Sequence, residues 1–229
     1  MKRNQSGFTL IEIAIVLVII GLLLGGVLKG QELINSAKIK NIATDFRNIP
    51  VYIYGYQDKF RALPGDDLQA ASHVGAEAIA ATTPAAPAGR SNGVIEGAWN
   101  TAITTDESYL FWQHIRLAGL APGSTTPGSA DYMPTNASGG IIGIQSGTSV
   151  VANSPVSSGG VAIRGSYVIC SSGILGKFVK QLDLQVDDGN TAGGSMMATP
   201  TVGYTLGTST ATANVDINDA DSYIVCMGV

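Results

Sequence analysis

Residues 7–28, GFTLIEIAIVLVIIGLLLGGVL, decide how the chain is organised. Residues 8–28 contain one charged side chain, that of Glu12. As a helix rising 1.5 Å per residue, this segment would be about 31 Å long, which matches the hydrocarbon core of a bilayer. It is therefore predicted to cross a membrane. Lys2 and Arg3 precede it, and because positive charge marks the cytoplasmic side, the rest of the chain is predicted to face the periplasm or the exterior.

The segment differs from an ordinary secretory signal peptide, because its apolar run is too long and no Ala-x-Ala cleavage site follows it. A plain membrane anchor is the simplest interpretation of composition alone. Glu12 fits an anchor poorly, because a carboxylate in hydrocarbon costs about 2.5–3.5 kcal/mol on insertion scales. No Lys or Arg occurs between Arg3 and Lys29. The α-amine of a chain cut just before Phe8, or that of a neighbouring chain, would be a suitable cation, since residues four apart share a helix face.

Residues 7–12, GFTLIE, resemble the class III signal of type IV pilins and of type II secretion pseudopilins. The shared features are a short basic leader, Gly7, Phe8, Glu12 as fifth residue of the mature chain, and an apolar helix. The resemblance implies that a prepilin peptidase removes residues 1–7 by cutting between Gly7 and Phe8, and that it N-methylates Phe8. It also implies that Glu12 neutralises the Phe8 amine of an adjacent subunit during assembly.

An apolar seam with steps of three and four residues follows the membrane segment. Its members are Ile39, Ile42, Phe46, Ile49, Ile53, Tyr56, Phe60 and Leu63. The spacing predicts one helix over about residues 8–60, amphipathic over 29–61 and kinked at Pro50. A helix that ends at Ile49, before the proline, is the alternative. The resemblance implies the pilin fold: an α+β chain whose long N-terminal helix packs its second half on a small antiparallel sheet within a head at 62–229.

The head is predicted to be rich in turns, because the chain has 29 Gly, only 5 Phe and 2 Trp, and 13% charged residues. Thr104 and Glu107 form a capping-box pattern that predicts a helix over 107–118, stopped by Gly119. The remaining pattern predicts strands at 161–170, 201–206 and 222–229, a short helix at 175–186, and long loops at 76–89 and 124–158.

Four further stretches resemble a branch of bacterial pilin-like proteins: 56–66 (YQDKFRALPGD), 92–96 (NGVIE), 111–114 (FWQH) and 117–120 (LAGL). Cys170 and Cys226 are predicted to form a disulfide, because a periplasmic exit favours oxidation; two free thiols are the alternative. The bond would resemble the C-terminal disulfide loop of type IVa pilins, which favours a pilus over a type II secretion pseudopilus.

The sequence contains few motifs that would indicate another class of function. It lacks a G-x-S-x-G elbow, a complete P-loop and a zinc-ligand spacing, and its net charge of −4 argues against specific nucleic-acid binding. His114 is predicted to be a core histidine. Four residues could offer oxygen ligands to Ca²⁺, but a solvated turn is the favoured interpretation: Asp216, Asn218, Asp219 and Asp221. No metal site and no cofactor are predicted.

The favoured interpretation is a structural subunit of a type IV pilus-like filament and not an enzyme. Its expected partners are identical or related pilin subunits, a prepilin peptidase and an inner-membrane assembly platform. Before assembly it would be a single-pass inner-membrane protein with a periplasmic head; afterwards it would lie in an extracellular filament or a periplasmic pseudopilus. A pseudopilin of a type II secretion system is the alternative, and a membrane-anchored periplasmic enzyme or binding module is a remote one.

Overall fold

A computed structural model describes residues 10–83 and 91–229 of the chain. Its first element is one α-helix, α1, at Leu10–Phe60, which contains Pro50. The alternative in which the helix ends at Ile49 is therefore wrong. Proline removes one helical hydrogen bond, but Ile49 and Ile53 on either side of it are both buried, and their burial offsets that loss. The kink at Pro50 stays a prediction, and the predicted start at Phe8 lies outside the described residues.

The chain divides into two units, Met1–Lys38 and Ile39–Val229. In the first unit, residues 10–29 are all exposed. Within the described residues, α1 is the one helix that is long and apolar enough, by length and composition, to cross a membrane.

In the second unit, the predicted seam of α1 is buried. The fully buried members are Ile39, Ile42, Phe46, Ile49, Ile53 and Tyr56, followed after the helix by Leu63; Phe60 is half-buried. All of these except Tyr56 and Phe60 belong to one hydrophobic core with Phe111, Ile144 and Val225. The buried seam predicted from the spacing is therefore confirmed from Ile39 onward.

The second unit contains a four-stranded antiparallel sheet with three short helices and a small hairpin. The helices are α2 (Ala70–Val74), α3 (Glu107–Leu117) and α4 (Gly176–Val186). The strands are β1 (Ile142–Ser146), β2 (Ser157–Ser158), β3 (Val161–Ala162), β4 (Tyr167–Leu175), β5 (Met196–Pro200) and β6 (Ser222–Gly228). The sheet order is β1-β4-β6-β5, and β2 pairs with β3. The α+β class with a long N-terminal helix and a small antiparallel sheet is confirmed.

Several predicted boundaries are wrong. The strand predicted at 161–170 is interrupted at Gly165, which has a φ of +152°, so that β3 and β4 are separate elements. Residues 201–206 form turns, and the edge strand β5 lies just before them. Strand β1 lies inside the stretch predicted as loops. The predicted α4 and β6 are confirmed.

The capping-box prediction for α3 is also wrong. Helix α3 begins as predicted at Glu107, but Asp106 is its N-cap and no side chain caps it. The Glu107 carboxylate instead accepts a hydrogen bond from the backbone N–H of Glu96, at 2.9 Å. The stop at Gly119 is confirmed, since its φ of +76° favours glycine.

Candidate functional site

The predicted processing site lies at the start of the chain, and Gly7 and Phe8 fall outside the described residues. Glu12 lies in the first turn of α1, where the helix dipole favours a carboxylate. Its neighbours Ile11 and Ile13 are 68% and 48% exposed. So large an apolar surface requires lipid or other protein chains to cover it, and Glu12 lies within that surface.

In the second unit, three of the four stretches that resemble pilin-like proteins, 56–66, 92–96 and 111–114, meet at the turn of residues 64–67. The backbone N–H of Gly65 donates to Nδ1 of His114 at 2.9 Å, and Nε2 of His114 lies 2.9 Å from the Ile79 carbonyl oxygen. Nδ1 is therefore the acceptor, and Nε2 carries the hydrogen. Burial lowers the pKa of His114. His114 is thus a neutral core histidine, as predicted, that ties α3 to the turn.

Asp66 joins this turn to the Asn92–Gly93 stretch. Its carboxylate accepts hydrogen bonds from the backbone N–H groups of Ser91, of Asn92 at 3.3 Å and of Gly93 at 2.8 Å. Three backbone donors on one carboxylate fix the local chain path. The spacing of the two stretches in the sequence did not reveal this contact.

Asp67 fastens the same turn to α1 and α2. Its Oδ2 accepts from the Tyr56 hydroxyl and lies 2.7 Å from Nδ1 of His73, while its Oδ1 accepts from the Gln69 N–H at 2.8 Å. Asp66 and Asp67, which follow the Leu63-Pro64-Gly65 stretch, therefore organise the packing around the end of α1.

Glu107 is a buried carboxyl beside this turn. Its side chain is fully buried, and its Oε1 has no hydrogen-bond partner within the described residues. The pKa of Glu107 is raised to about 8, mainly by burial; the hydrogen bond from the Glu96 N–H lowers it, and the nearby charges of Asp66 and Glu96 raise it. The group therefore holds a proton at neutral pH, and its enclosure points to a structural role.

Cys170 and Cys226 form the predicted disulfide. They lie directly opposite each other on β4 and β6, and both are fully buried. They share a small hydrophobic cluster with Trp99, Ile163 and Ile224. The bond therefore joins the two central strands of the sheet.

The acidic stretch near the C-terminus has partners of its own. Oδ1 of Asp219 pairs with Nζ of Lys180 at 2.9 Å, and Oδ1 of Asn218 accepts from the Ala220 N–H at 3.1 Å. These contacts are those of a solvated turn. A different acidic cluster, at Asp183, Asp187 and Asp188, escaped sequence reasoning, although an i, i+4 spacing across the end of the predicted helix at 175–186 could have revealed it.

Residues 2–28 match the family described as the prokaryotic N-terminal methylation motif. The match supports the class III prepilin signal, and with it a type IV pilin-like or pseudopilin precursor. It covers the predicted leader and the predicted membrane segment and does not extend into the head. No curated protein and no solved structure matches the chain significantly.

Proposed function

We propose that the chain is a structural subunit of a type IV pilus-like filament. It is made as an inner-membrane precursor and cut between Gly7 and Phe8 by a prepilin peptidase, which N-methylates Phe8. An assembly platform in the inner membrane then adds it to the filament. The match of residues 2–28 to the N-terminal methylation motif carries this proposal.

The proposal gives each part of the chain a task. Residues 1–7 are the leader, 8–28 form the transmembrane and later the filament-core helix, 29–61 form the stem, and 62–229 form the head. The exposed apolar surface of residues 10–29 suits both environments, since lipid covers it before assembly and neighbouring subunits cover it afterwards.

Glu12 is the proposed assembly residue. A carboxylate in hydrocarbon is costly, whereas in a filament it can meet the Phe8 amine of an adjacent subunit. That difference favours movement from the membrane into the filament and sets the axial register of the subunits.

A pseudopilin of a type II secretion system is the second candidate, because the N-terminal motif serves both. The Cys170–Cys226 disulfide resembles that of type IVa pilins and favours the pilus. The motif suggests a structural subunit rather than an enzyme. A membrane-anchored periplasmic enzyme or binding module is the least favoured candidate.

Electron microscopy of sheared surface material, with immunolabelling of this chain, separates the first two candidates. Long labelled filaments are expected from the wild type and should disappear on deletion of the chain. Absent filaments, together with a secretion defect on deletion, would favour the pseudopilin.

Substitution of Glu12 tests the assembly step. Glu12→Leu should still insert and fold, because its head is unchanged, but the ratio of filamentous to membrane-retained subunit should fall by at least about tenfold, the equivalent of 1.4 kcal/mol. Glu12→Asp should give an intermediate ratio. Ile13→Leu is the matched control and should assemble normally. A wild-type yield of filaments from Glu12→Leu would rule out this role.

A further inference from the structure

Three aspartates meet at the C-terminal end of α4, away from the contacts described above. Asp183 lies in the last turn of α4, and Asp187 and Asp188 follow the helix directly. One oxygen of each carboxylate lies within 4.8 Å of the others. The last turn of α4, all of whose residues are described, contains no basic residue. The negative end of the helix dipole adds to the charge of the three carboxylates.

Asp183 is the member that indicates a ligand. Its side chain is 0% exposed, and neither of its carboxylate oxygens has a hydrogen-bond partner in residues 10–83 and 91–229. Burial, followed by the charges of Asp187 and Asp188, raises its pKa to about 6. The backbone N–H of Gly189 lowers this pKa but does not form a hydrogen bond with either oxygen. A buried carboxylate without a cation or a hydrogen bond is costly.

The loop after α4 holds the other two carboxylates by one oxygen each. Oδ2 of Asp187 accepts from the backbone N–H groups of Ser195 at 2.7 Å and Met196 at 2.8 Å. Oδ1 of Asp188 accepts from the Asn190 N–H at 2.8 Å. These bonds orient the carboxylates while Asp187 Oδ1, Asp188 Oδ2 and both oxygens of Asp183 stay available to a ligand.

We propose that Asp183, Asp187 and Asp188 bind one divalent cation, and that Ca²⁺ fits best. Calcium takes six to eight oxygen ligands at about 2.3–2.6 Å in flexible geometry, so a single ion can bridge oxygens at these separations. Asp188 is exposed, which lets water supply the remaining ligands. The cluster contains no His or Cys, which disfavours zinc and copper.

The ion would fasten the end of α4 to the edge of the sheet. Asp187 binds the N–H of Met196, the first residue of β5, and Met196 pairs with Met227 of β6. Met227 follows the disulfide-bonded Cys226. Binding should therefore stabilise the second unit, whether or not the chain assembles into a filament.

Calorimetric titration and thermal unfolding of the full-length chain in detergent test the site. After treatment with EGTA, CaCl₂ should bind with one saturable site per chain. At about 100 times the dissociation constant, it should raise the melting temperature of the second unit by about 5–10 °C. NaCl of matched ionic strength should not reproduce this shift.

Three variants make the result specific. Asp183→Asn keeps the shape of the side chain without its charge, and Asp188→Asn changes an exposed ligand; each should weaken Ca²⁺ binding by at least about tenfold. Asp216→Asn, in the other acidic stretch, is the matched control and should bind normally. If Asp183→Asn does not fold, Asp188→Asn decides the test. The absence of a saturable Ca²⁺ shift, an equal shift with NaCl, or undiminished binding by Asp188→Asn would overturn the proposal.

Discussion

Removal of the Cys170–Cys226 disulfide should destabilise the second unit strongly. The two cysteines are 56 residues apart in the sequence. Closing a loop of that length lowers the entropy of the unfolded chain by an amount worth about 4 kcal/mol at 25 °C. For a unit of this size, about 4 kcal/mol corresponds to a fall of about 8–16 °C in the melting temperature.

Two ways of breaking the bond separate its entropic effect from packing. Reduction of the wild type keeps both sulfur atoms in the cluster, whereas Cys170→Ala with Cys226→Ala also removes them from fully buried positions. The reduced wild type should therefore lose about 4 kcal/mol, and the double variant should lose more.

Tryptophan fluorescence during denaturant unfolding is a suitable assay. Trp99 and Trp112, the two tryptophans of the chain, are both buried in the second unit, so the signal reports that unit even in a full-length chain held in detergent. Mass spectrometry should first show the linked Cys170 and Cys226 peptides in a nonreduced digest. Equal unfolding midpoints for the oxidised and fully reduced wild type would show that the disulfide does not stabilise the second unit.

Three further substitutions test the contacts of the second unit by denaturant unfolding. Between about pH 4.5 and 8 the folded state keeps a proton on Glu107 that the unfolded state releases. The free energy of unfolding of the wild type should therefore fall across this range, by up to about 1.4 kcal/mol per pH unit from this group. Glu107→Gln should reduce this pH dependence, and an unchanged dependence would exclude Glu107 as its source. Gly65→Ala should lower the free energy of unfolding by more than about 1–2 kcal/mol, because φ is +94° and the new Cβ would collide with the carbonyl oxygen of Glu107. The control Gly119→Ala also has a positive φ, but its new Cβ meets no neighbouring atom, so it should lower the free energy of unfolding less. Equal losses for the two variants would contradict the collision. Ile53→Ala should cost about 2–5 kcal/mol and exposed Val51→Ala less than about 0.5 kcal/mol, and similar values for the two would contradict the burial of the seam.

The features best predicted from the sequence are those that repeat along one element. The α1 seam could be found because each buried residue follows the previous one by three or four positions. Its continuation past Pro50 was also predictable, since Ile53 and Tyr56 keep the same spacing beyond the proline. The N-terminal signal was equally clear, because its residues are contiguous.

Contacts between distant segments could not be predicted. Thr104 and Glu107 have the capping-box spacing, but the buried Glu107 carboxylate accepts a hydrogen bond from the Glu96 N–H instead. Local spacing does not show which of these partners the carboxylate takes. Strands β1 and β5 were missed because they are short, and β1 contains Gly143, which packs against the carbonyl oxygen of Trp99. Spacing alone also failed to show that Asp66 binds the backbone near Asn92.

The proposed function depends on removal of residues 1–7 as a leader and on N-methylation of the Phe8 amine that this cut exposes. Intact-mass measurement of the chain purified after coexpression with a prepilin peptidase tests it most directly. We expect a chain that begins at Phe8 and carries one added methyl group. A Gly7→Val variant should keep its leader, because a bulky side chain would block the peptidase cleft. A chain that still begins at Met1 in the presence of active peptidase, or one cut after Gly30, would show that residues 1–7 are not a prepilin leader.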